Sequence, residues 1–274
     1  MVVFPNAKIN LGLNVVARRA DGYHNIETVF YPITLCDALE VLPADALSLQ
    51  FLGMPVPGAC DDNLVVRAFR LLQRDFLLPE VAITLLKKIP MGAGLGGGSS
   101  NAAFMLSLLN RQFSLGLSDD ALERYAAQLG ADCAFFVRNH PIFAEGIGNE
   151  FSDIALSLAG WHIVVVLKPD VHVATAEAYA HITCRRWAVP LREALQRPVA
   201  AWRDCLFNDF EASVFAKHPV LAELKQQLYD SGAVYAAMSG SGSAIYGLFP
   251  PDALPPAHIN DHFCGCHLYN MVLR

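Results

Sequence analysis

Basic residues never gather in this sequence. Twenty Lys and Arg stand against twenty-six Asp and Glu, a formal net charge of −6, and no cationic run exceeds a pair such as Lys87-Lys88 or Arg185-Arg186. Binding to nucleic acid or to an anionic membrane needs clustered cations that displace counterions, so neither partner is expected. Long apolar runs are missing too: residues 163–167, among the longest, fall far short of a membrane span. The first five residues carry neither a cationic start nor an extended apolar stretch, so no signal peptide is predicted and the expected location is cytoplasmic. Cysteines number seven, an odd count, and are mostly far apart with no CxxC pair. That pattern suits buried thiols in a reducing compartment better than a disulfide framework. His258, His262, Cys264, Cys266 and His267 crowd the C-terminal region, yet match no recognised zinc spacing, and no metal ligand is assigned there.

What the sequence has in quantity is apolar material. Over 274 residues, 54% are apolar and 17% charged, enough for more than a single core. Two domains are expected, 1–155 and 156–274, with a weakly marked boundary. The opening is strand-like: residues 2–4, 9–16, 26–33, 39–42 and 47–52 show β-rich or alternating patterns. Helical periodicity follows Asp61-Asp62-Asn63, which offers caps, and again follows Ser118-Asp119-Asp120. Between them lie a strand at 81–86 and a glycine stretch leading into an apolar helix at 101–109. Residues 135–137 and 142–144 read as β-like, and 163–167 as a buried strand. Helices are expected around 175–181, 209–215 and 219–229, strands at 234–238 and 244–249, and a last strand entered at 264–267.

The glycine stretch PMGAGLGGGSS, residues 90–100, carries the chemistry. No lysine follows its glycines, so it is not a Walker A loop, which needs GxxxxGK[ST]. Gly92, Gly94 and Gly97 match GxGxxG. A dinucleotide fold, however, requires a second strand with an acidic end about 20 residues on, and Asp119-Asp120 instead begin a helix. A mere joint has no reason to sit between strand, proline and helix. Consecutive glycines let inward-pointing N–H groups approach an anion closely, and the start of the following helix favours negative charge. The stretch is therefore read as a phosphate-binding loop of a third kind.

With PNAKINLGL at 5–13 and MSGSGS at 238–243, this loop resembles the three ordered motifs of the GHMP kinase superfamily, whose ATP loop is written P-x-x-x-G-L-G-S/G-S-S/A. Within it, RADGYH at 19–24, LGAD at 129–132 and FAEGIG at 143–148 resemble the branch that phosphorylates a cytidine-diphosphate sugar alcohol for non-mevalonate isoprenoid synthesis. Matches run from Pro5 to Gly242. The resemblance implies an α/β (α+β) two-domain GHMP kinase fold, with a ribosomal-S5-like N-terminal domain and a ferredoxin-like C-terminal domain. It implies an ATP-dependent phosphotransferase with an alcohol acceptor, using ATP and Mg²⁺.

Carried onto this chain, the resemblance assigns Asp132 as base and Lys8 as its cationic neighbour. The ATP loop comprises Pro90, Met91, Gly92, Ala93, Gly94, Leu95, Gly96, Gly97, Gly98, Ser99 and Ser100, with Asn63, Leu64 and Lys88 nearby. Ser100 is the expected direct or water-mediated contact to the metal. Tyr23 and Tyr179 are implied on the two faces of the cytosine, His24 on its edge and Thr175 in the same segment, while Asn10 is the hydroxyl partner beside Lys8. The family commonly has Asp, an aliphatic residue and proline where this chain has Asp132-Cys133-Ala134, which frees a backbone torsion and adds an N–H beside the base. Cys133 is read as a small buried residue. Alternatives are another small-molecule kinase of the superfamily, or a catalytically silent nucleotide-binding homologue, against which the presence of both Lys8 and Asp132 stands.

Overall fold

A computed structural model describes residues 1–180, 182–253, 255–256 and 259–274. The chain opens with strands β1 (Val2–Val3), β2 (Asn6–Arg18), β3 (His24–Cys36), β4 (Ala38–Pro43) and β5 (Ser48–Gly53). Helix α1 (Leu64–Asp75), strand β6 (Val81–Lys87) and helices α2 (Gly97–Gln112), α3 (Asp119–Ala127) and α4 (Phe135–Arg138) follow. Strands β7 (Ile142–Glu145), β8 (Glu150–Asp153) and β9 (His162–Leu167) precede helices α5 (Thr175–Tyr179), α6 (Leu191–Gln196), α7 (Phe210–Lys217) and α8 (Pro219–Asp230). Strands β10 (Tyr235–Met238) and β11 (Ile245–Phe249), helix α9 (Ile259–His262) and strand β12 (His267–Val272) complete it.

Two compact units interleave along the chain. The first comprises Met1–Lys8, Leu35–Met91 and Gly96–His140. Its sheet runs β1-β4-β6-β5, antiparallel except for the parallel β5–β6 pair. Strand β6 alternates with period two, burying Val81, Ile83, Leu85 and Lys87. Three apolar residues and one lysine thus share a face, and the lysine needs a partner. Helix α1 starts at Asn63, whose Oδ1 accepts from Val65 N at 3.0 Å and caps the first turn. It packs on α2 through a stripe that includes Val65, Ala68, Phe69 and Leu72.

The second unit comprises Ile9–Thr34, Gly92–Leu95 and Pro141–Arg274. Its antiparallel sheet runs β10-β11-β9-β12, with residues such as Val164, Val166, Ala236 and Ile245 in one core with Leu221, Leu224 and Leu228 of α8. The sheet ordered β2-β3-β7-β8 contributes Leu13, Val15 and Ile26 to the same core.

Residues 135–137, expected as β-like, are helical. Ala134 already has right-handed helical torsions, Val137 N donates to Ala134 O and Asn139 N to Phe135 O, and Asn139 ends the helix at φ 55°. A run of three apolar residues has no period by which strand and helix can be told apart. Helix α2 begins at Gly97, four residues before the expected start, so the last glycines and both serines of the 90–100 stretch form its first turn. Strand β8, paired with β7, and helix α6 were not anticipated. Helix α5 is a single turn, and His181, part of the expected 175–181 segment, lies outside the described residues.

Candidate active site

Residues 6–15 of β2 are buried at every position, so Lys8 is carried inward with its neighbours. Its Nζ lies 3.4 Å from Asp132 Oδ2, with side chains 4% and 34% exposed respectively. The carboxylate is therefore the member of the pair that solvent or a ligand can reach, backed by a buried ammonium. Burial pushes the Lys8 pKa below the ordinary lysine value, and the charge and hydrogen bond of Asp132 partly offset this. Asp132 sits in the turn between α3 and α4, which Cys133 N closes by donating to Gly130 O at 3.1 Å. Ala134, at the position where the resemblance leads one to expect proline, has torsions that lead directly into α4. Cys133 is buried, and burial raises its thiol pKa to about 11, so it stays protonated at neutral pH.

The 90–100 stretch turns by alternating glycines. Gly92, Gly94 and Gly96 all have positive φ, at 63°, 76° and 70°, a region L-residues with side chains rarely adopt. At Gly94 the packing is equally demanding, since a Cβ there would stand 1.9 Å from the Ser239 carbonyl oxygen. Ser239 Oγ in turn donates to Gly94 O at 2.8 Å, and accepts from Asn10 N at 3.2 Å. Gly96 is the left-handed cap of α2. Helical geometry leaves the N–H groups of Gly97, Gly98 and Ser99 without intrahelical acceptors. Ser100 is fully buried in this first turn and its Oγ has no hydrogen-bond partner.

In the first unit, Val56, Pro57, Leu64, Leu85 and Met91 line a cavity of about 210 Å³ together with Asn63, Lys87, Gly98 and Asn101. Of the residues expected around ATP, Asn63, Leu64, Met91 and Gly98 meet here. Lys88 is exposed and outside this lining, and Lys87 takes its place. Lys87 Nζ is paired with Asp37 Oδ2 and donates to Asn101 Oδ1 at 3.0 Å. Asp37, itself buried, accepts from Asn101 Nδ2 at 2.8 Å, and from Lys88 N and Ile89 N at 2.7 and 2.8 Å. One carboxylate thereby holds the cavity's lysine, its asparagine and the backbone just before Pro90. Burial lowers the Lys87 pKa, and Asp37 works against that. The alternation of β6 signals a buried Lys87. Nothing in sequence points to Asp37, which lies fifty residues away.

In the second unit, Tyr23, His24, Thr175 and Tyr179 share a cavity of about 630 Å³ with Arg18, Ile182 and Cys184. Four of the five residues expected around the alcohol substrate are thus brought together. Asn10 is elsewhere, buried, its Nδ2 donating to Thr28 Oγ1 at 2.9 Å. Tyr23 is 63% exposed, held outward by a tight turn in which its N–H donates to Asp21 Oδ1 at 3.0 Å. The ring lying against Tyr179 is that of His24, stacked at 4.8 Å, while Phe210 meets Tyr179 edge-on at 4.7 Å. Thr175 Oγ1 lies 3.4 Å from Ser241 Oγ.

Among the described residues, no three His, Cys, Asp or Glu side chains are grouped to hold a metal ion. His258 of the C-terminal cluster lies outside them. His262 Nδ1 pairs with Ser231 Oγ at 3.2 Å. No helix among the described residues is long and apolar enough to cross a membrane.

Comparison with known proteins bears on the family. Residues 63–140 match the GHMP kinases N terminal domain and residues 191–257 the GHMP kinases C terminal domain. The chain is 57% identical over 260 residues to 4-diphosphocytidyl-2-C-methyl-D-erythritol kinase of Bacteroides thetaiotaomicron, covering 93% of this chain and 94% of that one. It is 56% identical over 256 residues to the enzyme of the same name from Bacteroides fragilis, covering 92% and 93%. A crystal structure of 4-(cytidine 5'-diphospho)-2C-methyl-D-erythritol kinase superposes with a TM-score of 0.84 at 32% identity, covering 98% of both chains. Three ordered motifs, the Lys8–Asp132 pair and relatives matched along nearly their whole length lead to one assignment: the chain belongs to the GHMP kinases, in the family of 4-diphosphocytidyl-2-C-methyl-D-erythritol kinases.

Proposed function

We propose that this protein transfers the γ-phosphoryl group of ATP to the 2-hydroxyl of 4-diphosphocytidyl-2-C-methyl-D-erythritol, in the non-mevalonate route to isoprenoid precursors. The observation that carries this is the reachable Asp132 carboxylate backed at 3.4 Å by the buried Lys8 ammonium. In the step, the 2-hydroxyl oxygen bonds to the γ-phosphorus, the bond to the β–γ bridging oxygen breaks, and ADP leaves. Asp132 accepts the hydroxyl proton. Lys8 stabilises negative charge developing on the attacking oxygen.

ATP takes the first unit's cavity as its base site. The apolar walls from Val56, Leu64, Leu85 and Met91 suit a flat ring, and Asn63, Lys87 and Asn101 offer polar atoms to its edge. The phosphates lie on the 90–100 loop, where first-turn N–H groups and the helix dipole favour anions. Ser100, with its unpartnered buried hydroxyl, would offer a hard oxygen contact to a Mg²⁺ ion carried by the ATP phosphates. When bound, the ion neutralises charge on the phosphoryl oxygens.

Cytosine enters the second unit's cavity, stacking on Tyr179 in exchange for the His24 ring, which turns to the base's edge. Tyr23 closes over the other face. Asn10 orients the methylerythritol end. The division of the chain into domains 1–155 and 156–274 belongs to the same reading, supported by family matches on either side of residue 155.

The test is purified protein with ATP, Mg²⁺ and the cytidine substrate, following ADP and the phosphorylated product. Failure to form ADP while homoserine or mevalonate reacts overturns the substrate assignment and leaves the kinase standing.

A further inference from the structure

Residues 207–209, just before α7, run parallel to β2. Leu13 N donates to Phe207 O and Asp209 N to Leu13 O, both at 2.8 Å. Two adjacent polar side chains, Asn208 and Asp209, are buried there at 4% and 3% exposure, and they reach different segments. Asn208 Nδ2 donates to Met238 O and Gly240 O, both at 2.8 Å, and its Oδ1 accepts from Phe210 N at 3.0 Å. It therefore clamps the two carbonyls that flank Ser239. Ser239 is the residue whose hydroxyl holds Gly94 and whose carbonyl leaves no room for a side chain there.

Asp209 turns the other way. Its Oδ2 accepts from Val15 N at 2.7 Å, and its Oδ1 accepts from Arg185 Nε and Trp187 Nε1, each at 3.1 Å. The Arg185 guanidinium lies 3.7 Å from the Trp187 ring centroid, and Trp187 stacks on Phe207 at 4.2 Å. Arg185 N also donates to Val15 O at 3.1 Å. The carboxylate thus fastens residues 185–187 to Val15, in the last third of β2. Cys184, beside this fastening, and Arg18, at the end of the same strand, both line the larger cavity.

We infer that Asn208 and Asp209 are positioning residues for the two substrates separately: Asn208 sets the ATP loop through Ser239 and Gly94, and Asp209 sets the wall of the cytidine cavity. The inference rests on the functional reading above. Neither side chain touches a substrate, and each acts through hydrogen bonds whose loss leaves a buried group unpaired.

Asn208→Asp keeps the volume but turns an oxygen toward two carbonyls, and Asp209→Asn removes the charge facing Arg185. Both variants are checked by circular dichroism and thermal melting, then titrated with ATP–Mg²⁺ and with cytidine 5'-diphosphate, and their KM values are measured for both substrates. Asn208→Asp is expected to weaken ATP about tenfold and to leave cytidine 5'-diphosphate within about twofold, and Asp209→Asn to do the reverse. If either variant does not fold, Asn208→Ser and Asp209→Glu perturb the same bonds more gently and carry the same expectations. Parallel losses of both ligands in each variant, or no loss in a folded one, overturn the division of roles. Wild-type protein that binds neither ligand overturns the functional reading and this inference together.

Discussion

The two cavities are held open by different physics. In the first unit, about 210 Å³ is bounded by a fully hydrogen-bonded buried carboxylate, Asp37, which ties Lys87, Asn101 and two backbone N–H groups. In the second, about 630 Å³ is lined by rings on the surface side, with Tyr23 largely exposed and His24 resting on Tyr179. A buried ion pair holds one geometry because any departure strands a charge in low dielectric. Stacked rings give up one partner for another at little cost, since each ring face accepts any other π-system. The first unit's cavity is thus set in advance, and the second unit's cavity is free to exchange His24 for another ring.

Replacing Asp37 is the strongest way to test that contrast. Asp37→Ala leaves the Lys87 ammonium buried without its carboxylate and is expected to cost about 3–5 kcal/mol of unfolding free energy, read by chemical denaturation. A loss under about 1 kcal/mol would erase the distinction between the two pockets. Asp132→Asn separates chemistry from either pocket: turnover should fall by roughly 10²-fold or more while ATP affinity stays near wild type. Wild-type turnover removes Asp132 as the base.

On the ring-lined side, Tyr23→Ala should change stability by no more than about 0.5 kcal/mol, because the side chain is mostly in water. It should weaken the cytidine substrate by about tenfold, as the loss of one base-stacking face does. Unchanged affinity removes the stack, and a large loss of stability makes the two pockets alike. The smallest effect is a pH limb. In the proposed step Lys8 acts as an ammonium, and burial lowers its pKa from the ordinary 10.5. Turnover should therefore decline as pH rises through that lowered value, earlier than an ordinary lysine titrates, and Lys8→Arg should remove this decline.

Much of the site was legible because its parts are local. The glycine stretch announces a tight turn into a helix by composition, and Gly92, Gly94 and Gly96 take the positive φ values that turn needs. Asn63 reads as a cap and caps α1. The RADGYH motif at 19–24 is as local, and Asp21 within it accepts from Tyr23 N. Residues 135–137 were misread because three apolar residues carry no period, and only packing among helices gave them helical torsions.

By itself, then, the sequence determined most of the strand-and-helix frame, the glycine turn that opens α2 and the residue types of the Lys8–Asp132 pair. Only the tertiary structure decided that Lys87 rather than Lys88 lines the first cavity, that Asp37 holds it, that His24 covers Tyr179, and that Asn208 and Asp209 serve different segments. The physical reason is range. Torsional preference and periodicity act over a few residues and are written in order along the chain. The pairing of a buried charge or amide depends on which distant group the packed core brings within hydrogen-bond reach.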